Sequence, residues 1–89
     1  MIEAIDRKDT GETYMGRQVK SYRRIRDLRE DHEPKLTQAY VAKEIGLHLT
    51  RYQTYERGEA RVPAEVIEKL ARFYHVKADY ILGLTDSKR

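Results

Sequence analysis

A short predicted helix between Leu49 and Arg57 carries side chains suited to contacts with nucleic-acid bases. Tyr52 and Tyr55 are three residues apart and face a core, so the remaining side chains of the first two turns form an outward face. Most of them can donate or accept hydrogen bonds, and a helix of this size can enter the major groove of duplex DNA. The outward residues are Leu49, Thr50, Arg51, Gln53 and Thr54.

Positive charge is concentrated between Arg17 and Arg29, closer to the N-terminus than this helix. The 89-residue chain has a formal net charge of +3, but residues 1–13 contain four acids and two bases, so they sum to −2 and the remainder carries +5. Between Arg17 and Arg29 six bases accompany one acid, Asp27. Such a segment beside a folded domain indicates an anionic partner, nucleic acid before acidic lipid. The alternative is a solvated helix face without a partner.

The sequence supports little other chemistry. Cysteine is absent, which excludes disulfides, thiolate metal sites and cysteine nucleophiles. His32, His48 and His75 are far apart and form no metal-ligand pattern, and the scattered glycines form no phosphate-binding loop. No apolar run is long enough to span a membrane, and the N-terminus lacks the features of a secretory signal. We therefore expect no enzymatic activity, no metal, no cofactor and a cytoplasmic location.

The elements that must position these residues are predicted to be helices. Thr37 is a suitable N-cap for a helix that starts at Gln38, Gly46 permits a sharp turn with positive φ, and Gly58 ends the following helix. Ala42 must be small because the next helix crosses close to it. The pattern predicts an all-α chain with helices from about Arg17 to Glu30, Gln38 to Ile45 and Leu49 to Arg57, a fourth that opens at Val62 and Pro63, and a last from about Asp79 to Leu82.

The order and spacing of these segments resemble the Cro/C1-type (XRE-like) helix-turn-helix domains of phage repressors and bacterial regulators. The resemblance covers Tyr22 to about Thr85. It implies a five-helix bundle with the lambda-repressor-like fold, in which helices two and three form the DNA-contacting pair. The expected division is an N-terminal tail (1–15), the helix-turn-helix domain (16–85) and a C-terminal tail (86–89). The matching segments are Arg24-Ile25-Arg26-Asp27-Leu28-Arg29, Leu36-Thr37-Gln38, Val41-Ala42-Lys43-Glu44-Ile45-Gly46, Tyr55-Glu56-Arg57-Gly58, Pro63 to Val76, and Ala78-Asp79-Tyr80-Ile81-Leu82-Gly83.

The resemblance assigns base contacts to the start of the third helix. Leu49, Thr50 and Thr54 match base-contacting positions. Arg51 and Gln53 flank them and can reach bases or phosphates, so we expect all five residues to take part in base contacts. Leucine cannot form a bidentate hydrogen bond with a base, but it can contact the methyl group of thymine. An alternative stays open for Thr50, which together with Gln53 is a capping box that would start the helix later.

The resemblance also implies contacts with the DNA backbone and one internal ion pair. Arg29 and Glu56 match a family pair that links helix one to helix three, so we expect a structural ion pair there. The amides at a helix N-terminus favour an anion, which suits the position of Gln38. The residues expected to contact phosphate are Gln38, Lys35, His48, Arg57 and Arg61.

Together these assignments predict a sequence-specific regulator that binds double-stranded DNA, most simply a repressor that occupies a bacterial or phage operator. One small domain makes few base contacts, so we expect a homodimer on a palindromic operator, associated with the nucleoid. The alternative is an antitoxin or another protein-binding adaptor on the same fold, with a partner such as a toxin.

Overall fold

The computed structural model describes residues 21–89, where all regular secondary structure is helical and forms five helices. The expected all-α, five-helix architecture is therefore confirmed. None of these described helices is long and apolar enough to cross a membrane. The expected tail (1–15) and the predicted start of the first helix at Arg17 lie outside the described residues. The helices are α1 (Arg23–Asp31), α2 (Gln38–Glu44), α3 (Leu49–Arg57), α4 (Ala64–Tyr74) and α5 (Ala78–Leu82).

The start of α1 differs from the prediction. Tyr22 has an extended backbone with φ −104° and ψ 91°, and the helix begins at Arg23. The prediction that the helix already includes residues 21 and 22 is wrong. A Cβ placed on Gly58 would lie only 2.8 Å from the Cβ of Ser21, so the chain enters the domain packed against the end of α3. That tertiary contact is not visible in the helical spacing of the charges.

Local signals set the ends of α2 and α3 close to the predicted positions. Thr37 caps α2, because its Oγ1 accepts a hydrogen bond from the backbone N–H of Tyr40 at 3.0 Å. The helix ends at Glu44, one residue before the predicted end. Gly46 and Gly58, which follow α2 and α3, both have φ of +75°, where a side chain would strain the backbone.

A single core holds α3 in place with its outer face free. Tyr52 is completely buried, and Ala42 is 1% exposed where α2 and α3 pack together. Leu47, in the turn between them, is partly buried against the same core. The core side chains are Ile25, Leu28, Val41, Ala42, Ile45, Tyr52, Tyr55, Val66, Ile67, Leu70 and Ile81.

The C-terminal residues pack back onto the helices. Arg24 of α1 donates a hydrogen bond to the carbonyl of Tyr80 at 2.9 Å, and its guanidinium carbon lies 4.1 Å from the centre of the Tyr80 ring. Its Nη2 also lies 2.6 Å from the Asp86 carboxylate. The backbone N–H of Lys77 donates to the carbonyl of Lys88 at 2.8 Å. Residues of the expected C-terminal tail (86–89) therefore contact the helical domain.

Candidate nucleic-acid interface

The outer face of α3 begins at the first residue of the helix. His48 is the N-cap residue, and its side chain makes no capping hydrogen bond. Thr50 therefore lies within the first turn, and the alternative in which it caps a later helix is wrong. Leu49 is 38% exposed, and Thr50 and Arg51 are also exposed, whereas Thr54 is half-buried.

A shallow groove of about 430 Å³ runs along this face, lined by His48, Thr50, Arg51 and Thr54. The Oγ1 of Thr54 donates to the carbonyl of Arg51 at 2.6 Å. Because that bond uses the hydroxyl proton, Thr54 keeps only an acceptor oxygen and a methyl group for other contacts, whereas the guanidinium of Arg51 offers only donors. The groove therefore combines donor, acceptor and apolar groups, which are the groups that distinguish base edges in the major groove.

A second cleft, of about 580 Å³, lies where α1, the α1–α2 connection, the start of α2 and the end of α3 meet. We call it the basic cleft; its lining residues are Arg26, Arg29, Lys35, Leu36, Thr37, Gln38, Glu56 and Arg57. It brings together three of the residues expected to contact phosphate, namely Lys35, Gln38 and Arg57. The other two lie elsewhere, since His48 lines the α3 groove and Arg61 is exposed and lines neither cleft.

Arg26 also lines the basic cleft, although the sequence analysis assigns it no phosphate contact. It is exposed, and its Nε lies 2.9 Å from the Glu30 carboxylate. The sequence does carry a signal for the position of Arg26. Arg29 is three residues further on, and residues three apart share a helix face. Arg24 points to the C-terminal residues instead. Arg24 and Arg26 therefore lie on different surfaces.

Glu56 is the centre of a hydrogen-bond network beside the basic cleft. Its carboxylate forms a bidentate pair with Arg29, from Nε at 2.7 Å and from Nη2 at 3.1 Å. It also accepts a hydrogen bond from the Tyr52 hydroxyl and one from Gln38 Nε2 at 3.0 Å. The side chains of Glu56 and Arg29 are 3% and 10% exposed. The ion pair expected from the resemblance is present, and the network around it joins α1, α2 and α3.

This network keeps Glu56 ionised. Burial raises the pKa of Glu56, but hydrogen bonds from Arg29, Tyr52 and Gln38 outweigh it, so the pKa lies below its ordinary value. The hydrogen bond to Glu56 raises the pKa of Arg29, and burial raises the pKa of the Tyr52 hydroxyl. The buried negative charge is therefore balanced inside the protein.

The Arg57 side chain in the cleft pairs with an exposed acid. Its Nε lies 3.0 Å from the Glu59 carboxylate, and the two side chains are 51% and 56% exposed. Exposed pairs of this kind are weak, so an incoming anion can replace Glu59 with little loss. Within residues 21–89 no group of three or more histidine, aspartate or glutamate side chains is arranged to hold a metal ion.

Comparison with known proteins identifies the class to which this fold and surface belong. The helix-turn-helix family model matches residues 25–81, which include the whole of α2, α3 and α4. The chain therefore belongs to the helix-turn-helix family of the Cro/C1 type. No solved structure shows a significant match to it.

Two curated relatives have names that concern transcription. The chain is 44% identical over 63 residues to the uncharacterized HTH-type transcriptional regulator YobD of Bacillus subtilis (strain 168), a match that covers 71% of this chain and 54% of YobD. It is 43% identical over 53 residues to the cryptic phage CTXphi transcriptional repressor RstR of Vibrio cholerae, covering 60% of this chain and 46% of RstR. The chain thus spans about half the length of the curated relatives it matches.

Proposed function

We propose that this chain is a DNA-binding transcriptional regulator, most simply a repressor, that inserts α3 into the major groove of its operator. The observation that carries the proposal is that α3 contributes to both surfaces, with Thr50 in the outer groove and Arg57 in the basic cleft. At about 1.5 Å per residue these positions are about 10 Å apart along the helix. One end can then contact bases while the other contacts the adjacent backbone.

In this arrangement the base contacts come from the first two turns of α3. Arg51 donates to the acceptors of guanine, and Leu49 packs against a thymine methyl group. Thr50 offers a hydroxyl group, and Thr54 offers an acceptor oxygen and a methyl group. The resemblance places one further residue, Gln53, beside these base-contacting positions.

The phosphate contacts come from the basic cleft and its surroundings. Lys35, Gln38 and Arg57 contact one stretch of backbone, with His48 and Arg61 at neighbouring phosphates. Arg26 is added because it lines the same cleft. These contacts set affinity and register, whereas the base contacts set sequence preference.

The domain at residues 16–85 presents a single copy of α3, so useful specificity requires two copies on a palindromic site. We therefore propose a homodimer on DNA, acting in the cytoplasm on the nucleoid, with no catalytic role. The relatives named as a transcriptional regulator and a transcriptional repressor support the proposed role in transcription.

The test is the salt dependence of binding to duplexes selected from a random library. The wild-type chain should bind with a log–log salt slope of about −0.9 per phosphate contacted. Arg57→Ala should weaken binding to every duplex and make the slope less steep by about one unit. No binding at about 50 mM salt, where phosphate-driven binding is strong, would contradict the proposal.

Arg72→Ala is the matched control. Arg72 is also an exposed arginine paired with a glutamate, since its Nη2 lies 2.8 Å from Glu68, but it is on α4 and lines neither of the two surfaces. Arg72→Ala changes the net charge by the same amount as Arg57→Ala, but it should leave the salt slope of DNA binding nearly unchanged. If both variants change the slope equally, binding does not use the basic cleft.

A further inference from the structure

Gln53 does not stand free on the outer face of α3. Its side chain is half-buried, and its Nε2 donates a hydrogen bond to Oε1 of Gln38 on α2 at 3.0 Å. The two residues are 15 positions apart and are brought together by the packing of α2 against α3. Unlike Arg51 and Thr50, Gln53 does not line the α3 groove. The expectation that Gln53 contacts bases from the outer face therefore differs from its position in the fold, which is unlike that of Thr50 and Arg51.

The amide of Gln38 is held at both of its polar atoms. Its Nε2 donates to Oε1 of Glu56 at 3.0 Å, and its Oε1 accepts the hydrogen bond from Gln53. A glutamine amide has two N–H groups and one carbonyl oxygen. One N–H of Gln38 is therefore still available, on a residue that lines the basic cleft with Lys35 and Arg57.

Gln53 can contribute to phosphate binding because a phosphate brings negative charge to the cleft. Phosphate oxygens accept hydrogen bonds and are repelled by a carbonyl oxygen. The buried carboxylate of Glu56 already favours the orientation in which Gln38 directs its nitrogen towards it. The donor from Gln53 occupies the Gln38 carbonyl oxygen, so the remaining group that Gln38 presents is an N–H.

We propose that Gln53 is a positioning residue, whose amide holds Gln38 in the orientation that donates to a DNA phosphate, and that Gln53 itself contacts no base. The proposal rests on the proposed function. It makes a distinction that binding data can resolve, because a lost base contact changes sequence preference whereas a lost phosphate contact weakens binding to all sequences alike.

The test is a double-mutant cycle on DNA affinity. Gln53→Met and Gln38→Met preserve side-chain length and net charge but remove the hydrogen-bonding groups. Gln53→Met should weaken binding about 3- to 10-fold on every duplex, the range for a single hydrogen bond. In the Gln38→Met background the same change should have almost no effect, because Gln53 acts through Gln38. Equal losses in both backgrounds would overturn the proposal.

Two further measurements separate positioning from base contact and from loss of folding. Selection from one random duplex library should give the same preferred sequence for the wild-type chain and for Gln53→Met, whereas Thr54→Val should change it. An uncharged methylphosphonate at the phosphate contacted by Gln38 should abolish the difference between the wild-type chain and Gln53→Met. Gln53→Ala provides a second variant, and circular dichroism at the temperature of the binding assay serves as the folding control.

Three outcomes are decisive. A changed sequence preference in Gln53→Met shows that Gln53 contacts a base and overturns this inference alone. Unchanged DNA affinity in both Gln53→Met and Gln53→Ala also overturns this inference alone. A wild-type chain that binds no duplex overturns both this inference and the proposed function.

Discussion

Replacing Glu56 with glutamine removes the charge at the centre of the network with almost no change in shape. The carboxylate accepts two hydrogen bonds at each oxygen: Oε2 from Arg29 and Tyr52, and Oε1 from Arg29 and Gln38. An amide replaces one acceptor oxygen with a donor, so two of these four bonds are lost. The buried guanidinium of Arg29 also loses its counter-charge.

The magnitude follows from this count. A hydrogen bond to a charged group contributes about 1.5–3 kcal/mol, so two of them amount to about 3–6 kcal/mol. Removal of one partner from a buried ion pair costs about the same amount. A chain of this size has a free energy of unfolding of about 5–13 kcal/mol, so Glu56→Gln should fold with little stability left.

Urea unfolding followed by circular dichroism measures the change. With an m-value of about 1 kcal/mol/M the midpoint should fall by about 3–6 M. Glu68→Gln is the control, because Glu68 also pairs with an arginine, Arg72, but on the exposed surface of α4, and it should leave the midpoint nearly unchanged. Equal midpoints for the two variants would refute the assignment of Glu56 to a buried, fully bonded site.

The pH dependence gives a second check on the same variant. The pKa of Glu56 is lowered in the folded chain, so its stabilising effect is present above the unfolded value of about 4.3 and is lost as the pH falls through the folded value. The difference in free energy of unfolding between the wild-type chain and Glu56→Gln should therefore shrink below about pH 4. A difference that stays constant from neutral to acidic pH would refute the reasoning.

Three further predictions concern the backbone and the core. Gly46→Ala and Gly58→Ala place the same strain at φ +75°, but only Gly58→Ala brings a Cβ to 2.8 Å from Ser21, so Gly58→Ala should lower the melting temperature more. Ser21→Gly should remove that excess loss of stability. Equal melting temperatures for the two alanine variants would contradict the contact. His75 has φ 57° at the end of α4, so His75→Gly should raise the melting temperature by a few degrees, and a decrease would argue against the strain. Ala42 is 1% exposed, and Ala42→Val should cost about 1–3 kcal/mol in urea unfolding through overpacking, whereas an unchanged midpoint would exclude the close helix crossing.

The helix-turn-helix pair was predictable because its signals are local. The cap at Thr37 and the glycines at positions 46 and 58 act within one turn of the residues that they affect. The inward spacing of Tyr52 and Tyr55 likewise follows from the period of a single helix. The start of α1 was not predictable in the same way, because the extended backbone before Arg23 packs against Gly58, far along the chain.

By itself the sequence determined which segments are helical and that Leu49, Thr50 and Arg51 lie on the exposed face of α3, since caps, glycines and helical periodicity depend on neighbouring residues. It predicted Gln53 on the same face, whereas the folded chain half-buries Gln53 against α2. Only the tertiary structure decided which other residues meet. Arg29 and Glu56, 27 positions apart, were expected to pair from the resemblance alone, whereas the contact of Gln53 with Gln38, 15 positions apart, had no signal in the sequence. These contacts depend on how α1, α2 and α3 pack, and a one-dimensional pattern does not record that geometry. For the same reason, the grouping of Arg26, Lys35, Gln38 and Arg57 around one cleft appears only in the folded chain.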